Sequence, residues 1–167
     1  MRYISSDTNV WIDYMLIGKI EYPFRLSYEY LMNQDTVCNE LLSPRGMREK
    51  LIKLGLIVTE LSEEEFYYAI EIAEKHPRLS EHDCAALAIA KHRGIALLTG
   101  DSALKNVAVK EKVEVIGTIG ILDELFNQQL ITEKEYKESL ILLIKYNGRG
   151  VRLPQSELQK RLEQFDK

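Results

Sequence analysis

Five short runs of apolar and β-branched residues punctuate this chain, and a stretch with helical spacing follows each of them. The runs are Tyr3–Ser6, Tyr28–Met32, Leu56–Thr59, Ile95–Leu98 and Val113–Ile116. Several are nearly continuous in apolar side chains, as strands buried on both faces must be. Strands alternating with helices in this way imply a parallel sheet covered by helices on each side.

The punctuation between runs supports that reading. Asp7 and Thr8 are capping residues ahead of NVWIDYMLI. The pattern TVCNELL is helical until Ser43-Pro44 stops it, and residues 45–54 form a short helix that Gly55 ends. Ser62–Lys75 is the clearest amphipathic helix: a Ser cap, three glutamates in the first turn, and an apolar face of Phe66, Ala69, Ile70 and Ala73. His76-Pro77 breaks it. Ser80 opens EHDCAALAIAKHR, where rows through Cys84, Leu87, Ala88 and Lys91 alternate apolar and polar, and Gly94 is its stop. Ala103–Lys112 is a further helix. From Ile119 the chain reads as wholly helical, with breaks at 129–132, 147–150 and Pro154. The expectation is an α/β domain over residues 1–128, with a helical extension over 129–167 packed on the same domain.

At 167 residues the chain can bury one sizeable core but not two ordinary ones. Hydrophobic residues at 46% and charged residues at 29% fit a globular protein in solution. The N-terminal MRYISSDTNV has neither the basic start nor the apolar core of a signal peptide. The longest apolar run, Leu140–Ile144, is far short of a bilayer span. Cys38 and Cys84 are too few for a disulfide framework, so a reducing cytoplasm is the expected location. The net charge of −4 argues against a phosphate-gripping protein. An acidic chain can still act on nucleic acid if its carboxylates gather at a metal site and its basic residues lie elsewhere on the same face.

Ligands of an open parallel sheet collect at the carboxyl ends of the strands. Asp7 follows the first strand and Asp101 the fourth, so neighbouring strands would bring both acids to one edge. Two carboxylates that close repel each other unless a cation sits between them. Hard divalent cations such as Mg²⁺ or Mn²⁺ suit such oxygen ligands. Asp83, in the first turn of the helix opened by Ser80, is a third candidate, and Glu40, in TVCNELL, is a fourth. Each acid also has a purely structural reading. Asp7 and Asp101 stand where helix caps stand, Asp83 completes a Ser-x-x-acid capping arrangement, and Glu40 can be a solvated helix residue.

Taken together, SSDTNVWIDY, TVCNELLSP, LSEHDCAALAIAKHRGIALLTGD and VIGTIGILDEL resemble, in order, the motifs of the PIN-domain family of metal-dependent nucleases. The resemblance covers residues 3 to 126, and the Gly117–Gly120 run and helical tail are similar to a prokaryotic branch. It implies a three-layer α/β/α sandwich with a central parallel sheet of about five strands. It also implies an acidic quartet of Asp7, Glu40, Asp83 and Asp101 holding Mg²⁺ or Mn²⁺. Asn9 would line the site, and Thr99 would support Asp101 through its hydroxyl. The implied activity is hydrolysis of phosphodiester bonds, foremost in RNA, leaving a 3′-hydroxyl and a 5′-phosphate. Lys105, Arg149 and Arg152 are the expected phosphate contacts. A toxin-type protein held by an antitoxin, and a homodimer, are partners that the resemblance admits.

Several other features invite plainer readings. Cys84 packs into the core, Leu140, Leu143 and Ile144 form core or a dimer seam, and His82 and His92 lie at the surface. The rivals are an inert PIN-like nucleic-acid-binding or regulatory module and a haloacid-dehalogenase-like phosphotransferase. Aspartyl-nucleophile chemistry of the second kind wants an acid two residues after the first, where this chain has Asn9.

Overall fold

The computed structural model describes residues 2–42 and 45–166. The expected helix stop at Ser43-Pro44 lies outside the described residues. Five parallel strands form one sheet: β1 (Arg2–Ser6), β2 (Tyr28–Asn33), β3 (Ile57–Thr59), β4 (Ala96–Leu98) and β5 (Val115–Ile116), in the order β3-β2-β1-β4-β5. The chain builds outward from β1 to β3, then returns to place β4 on the other side of β1. The switch point of the sheet therefore falls between β1 and β4, where a ligand crevice is expected.

Helices cover both faces. Alternation along β4 sends Ala96 and Leu98 into one core and Leu97 into the other. The larger core joins β1 and β2 to α1 (Thr8–Leu16), α2 (Gln34–Glu40), α3 (Met47–Leu54), α7 (Thr118–Asn127), α8 (Glu133–Tyr146) and α9 (Gln155–Glu163). Leu140, Leu143 and Leu158 of the last two helices are fully buried in it. Trp11, Phe24 and Tyr30 form its aromatic centre, with ring centroids 5.1–5.4 Å apart. A 3₁₀ turn over Tyr22–Arg25, missed in the sequence, presents Phe24 to that cluster. The other core belongs to α4 (Glu63–Lys75), α5 (Glu81–Arg93) and α6 (Ser102–Lys110).

The expected faces of two helices are corrected. α5 does not alternate apolar and polar rows: Cys84 to Ala90 are all buried, because the sheet lies beneath this helix and α4 lies over it. Its small residues permit close approach to the sheet, and Ser5 of β1 donates directly to the Ala86 carbonyl at 2.7 Å. α4 is consequently an outer helix. It buries Ala69 and Ile72, leaving Phe66 and Ile70 exposed. Glu65 turns inward instead, and its carboxylate accepts from Arg93 Nε at 2.8 Å and Nη2 at 3.0 Å. This paired guanidinium holds the Glu65 carboxyl below its ordinary range despite its burial.

α8 and α9 are joined by a tight loop. Asn147 donates through Nδ2 to the Leu153 carbonyl and accepts from the Leu153 amide, while the Gly148 amide donates to the Val151 carbonyl. Gly150 sits here at φ +114°, and a Cβ on it would meet Leu16 Cδ1 of α1 at 2.7 Å. Gly150→Ala is expected to cost about 1–3 kcal/mol through both the backbone strain and the clash. Urea denaturation checks this, and an unchanged midpoint would mean the loop is not held against α1.

Candidate active site

β1 and β4 end side by side, and that adjacency assembles the site. The Asp7 amide donates to the Leu98 carbonyl at 2.9 Å, extending the β1–β4 ladder one residue past the strand. Asp7 is buried at the N-cap of α1, its Oδ1 accepting from the Thr8 amide at 2.9 Å. Its Oδ2 accepts from Thr99 Oγ1 at 3.0 Å, and Thr99 Oγ1 in turn accepts from the Asp101 amide at 3.1 Å. Thr99 thus joins the two acids, but its hydroxyl proton goes to Asp7 rather than to the Asp101 carboxylate expected from the sequence. Asp101 caps α6, with Oδ1 accepting from the Leu104 amide at 2.9 Å.

The other two acids approach from opposite helices. Glu40 lies at the end of α2, and its Oε1 accepts from Thr8 Oγ1 at 3.1 Å. Thr8, the residue beside Asp7, therefore ties Glu40 to the start of α1. Asp83 completes a capping box: its Oδ2 accepts from the Ser80 amide, and its own amide donates to Ser80 Oγ, both at 3.0 Å. Between these helices, Thr36 Oγ1 and His82 Nδ1 are 2.8 Å apart. His82 is therefore half-buried and bonded across the site's rim, not a free surface residue.

Electrostatics shows the four carboxylates sharing one field. Burial pushes Asp7 up to about 7, the Asp83 charge adds to this, hydrogen bonds from Thr99 and Thr8 oppose it, and Glu40 raises it a little further. Asp83 is also raised, first by burial and then by Asp101, against the hydrogen bond from the Ser80 amide. Among the described residues, none of the four makes an ion pair.

The donor set is all oxygen and is crowded with uncompensated negative charge, which suits a hard divalent cation. In this conformation, however, no three His, Cys, Asp or Glu side chains among the described residues stand close enough together to hold one. Asp83 and Asp101 each commit one oxygen to a helix cap, which leaves Oδ1 of Asp83 and Oδ2 of Asp101 without a described donor. The residues fit a metal by their chemistry, and side-chain rotation at these two caps would have to bring them together.

A cleft of about 1200 Å³ opens beside Asp101 towards the C-terminal helices; of the four acids, Asp101 alone is among its lining residues. Asn9, Thr99 and Asp101 line its inner end, and Lys105 and Arg152 stand along its walls. Arg149 is exposed on the same 147–152 loop but is not part of the wall. The starts of α6, α7 and α9 also border the cleft.

Asp13 was overlooked in the sequence. It lies one helical turn after Asn9 on α1, buried among the residues that line the cleft, and its Oδ2 accepts from Thr118 Oγ1 at 2.6 Å. An acid inside the apolar run VWIDYML, in step with Asn9, was the available signal.

Residues 3–167 match the family model DUF3368, described as a PIN domain. No curated protein and no solved structure matches the chain.

Proposed function

The chain belongs to the PIN-domain family, and from that premise we propose that it is a metal-dependent endoribonuclease whose metal ligands are Asp7, Glu40, Asp83 and Asp101. PIN domains are generally nucleases that use divalent metals, which supports phosphodiester hydrolysis as the reaction class. The observation that carries the assignment is the Thr99 bridge. It fixes Asp7 and Asp101 at the switch point, within the field of Asp83 and Glu40.

Mg²⁺ or Mn²⁺, when bound, supplies a water of lowered pKa and neutralises charge on the phosphate and leaving oxygen. The protein's own residues do the rest. Thr99 and Thr8 hold Asp7 in one rotamer, and the α6 amide of Leu104 orients Asp101. Lys105 and Arg152 draw the phosphate backbone along the cleft, and Arg149 adds charge at its mouth. The segment 129–167 acts as the outer wall of that cleft, appended to a nuclease unit over residues 1–128. No helix among the described residues is long and apolar enough to cross a membrane.

The capping bonds of Asp83 and Asp101 favour a second reading, an inert PIN-like binding module whose acids serve structure. Purified protein incubated with single-stranded and structured RNA separates the two. The nuclease reading expects cleavage in Mg²⁺ or Mn²⁺, products ending in 5′-phosphate, and complete inhibition by EDTA. Uncut RNA together with no Mn²⁺-dependent rise in Tm would establish the inert module. Cleavage that survives EDTA would overturn the metal assignment.

A further inference from the structure

We propose that Asp13 is a specificity-determining residue: its open oxygen accepts a hydrogen bond from one ribose 2′-hydroxyl of a strand lying beside Asp101. The inference rests on the nuclease reading above and goes beyond it by assigning how RNA is told from DNA.

Asp13 is 4% exposed and has no cationic partner among the described residues. Thr118 Oγ1 holds its Oδ2 at 2.6 Å, and Thr118 is itself pinned because its carbonyl accepts from Tyr14 Oη at 2.8 Å. The second oxygen, Oδ1, accepts from no described donor. It is also not sealed in, since the fully buried side-chain polar atom left without a partner among the described residues is Glu124 Oε2. Oδ1 therefore keeps some access to solvent, and Asp13 is among the residues that line the cleft. The carboxyl lies under the turn that carries Asp101: a Cβ at Gly100 would stand 3.8 Å from Asp13 Oδ2.

A buried carboxylate without a cation is costly, and burial does push Asp13 up to about 6. If the role were only to bind the Thr118 hydroxyl, a neutral amide would serve with less penalty. An anion here repels phosphate, so among the groups of a nucleotide its partner is a neutral donor close to the backbone. With Oδ2 occupied, one acceptor oxygen is open, matching the one proton of a 2′-hydroxyl better than the paired donors of a guanine edge. Ile12 and Ile119 in the same wall shield such a bond from water. The 2′-hydroxyl is the group by which a protein can distinguish RNA from DNA at a given nucleotide.

The test uses the full chain, Mn²⁺ and a single-stranded oligoribonucleotide in which a 2′-fluoro group is walked past the cut bond. Fluorine keeps the ribose-like sugar but cannot donate. At one position next to the cut, kcat/KM should fall by about tenfold to a hundredfold, the loss of a hydrogen bond to a charged group. In Asp13→Ala the ratio of unmodified to fluorinated substrate should approach one. Thr118→Val, which removes the supporting hydroxyl but leaves the carboxylate, should retain the ratio even if its Tm drops. Wild-type indifference to fluorine at every position overturns the proposal, whether or not the variants fold. So does a ratio that persists in Asp13→Ala, or sensitivity that follows the base instead of the sugar. If no RNA is cut, the nuclease reading fails by itself. The sugar contact is then read from binding, where equal Kd values for plain and fluorinated RNA overturn it.

Discussion

Asp101→Asn is expected to lower RNA cleavage by at least about 10²-fold while leaving the fold intact. Catalytic loss of that size is ordinary when a group acting directly on the reacting charges is removed. Retention of the fold follows from local geometry. Asn is as good an N-cap as Asp, and its side-chain oxygen can still accept from the Leu104 amide at the start of α6. The Asp101 amide still donates to Thr99 Oγ1, so the bridge to Asp7 survives. Removing the Asp101 charge also relieves Asp83, which it now pushes upward. Stability should therefore stay within about 1 kcal/mol of wild type, a Tm shift of about 2–4 °C at most. Circular dichroism melts beside a cleavage assay decide the matter. Full activity in a folded Asp101→Asn protein would reduce Asp101 to a helix cap.

The same residue explains why the sequence could be read so far and no further. Strands, caps and stops are local events, so β1, β4, the Ser62 cap, the Ser80 capping box and the Gly94 stop were legible from residue order. Asp7 and Asp101 were paired correctly because both follow strands, although their adjacency needed β4 to return beside β1. What the sequence hid were contacts between elements far apart in the chain. Thr99 could be linked to the nearer acid but not to Asp7, 92 residues away. Phe66 and Ile70 look like a buried face on a helical wheel. They are exposed because α5 already covers the sheet, so α4 needs only a narrow strip, Ala69 and Ile72, to pack on it. Asp13 had no visible partner until α7 brought Thr118 against α1. The capping roles of Asp83 and Asp101 were foreseen as alternatives to metal binding, and the structure holds both acids as caps within the acidic field.

That field makes a stability prediction of opposite sign from most site substitutions: Asp7→Asn should stabilise the metal-free protein at neutral and alkaline pH. Burial pushes the Asp7 carboxyl from its ordinary 3.8 up to about 7 in the folded state. Between these values the folded protein binds more protons than the unfolded chain, so stability falls as pH rises. The favourable contribution of neutral Asp7 is complete below about 4 and is lost as pH climbs through about 7. A displacement of about three pKa units at about 1.4 kcal/mol each bounds the effect near 4 kcal/mol. Part of it is shared with Asp83, whose charge helps to raise Asp7. Asn can keep its oxygen on the Thr8 amide and turn its amide group to donate to Thr99 Oγ1, reversing that bond, but it cannot ionise. In EDTA, wild type and Asp7→Asn should melt at similar temperatures near pH 4, and the variant should gain on the order of 5–15 °C by pH 8. Mn²⁺ should narrow the gap at pH 8, because a cation that binds the ionised acids stabilises wild type and has lost a ligand in the variant. A gap that stays constant across the titration would mean that Asp7 carries no buried charge, and the electrostatic case for a metal at this edge would fall with it.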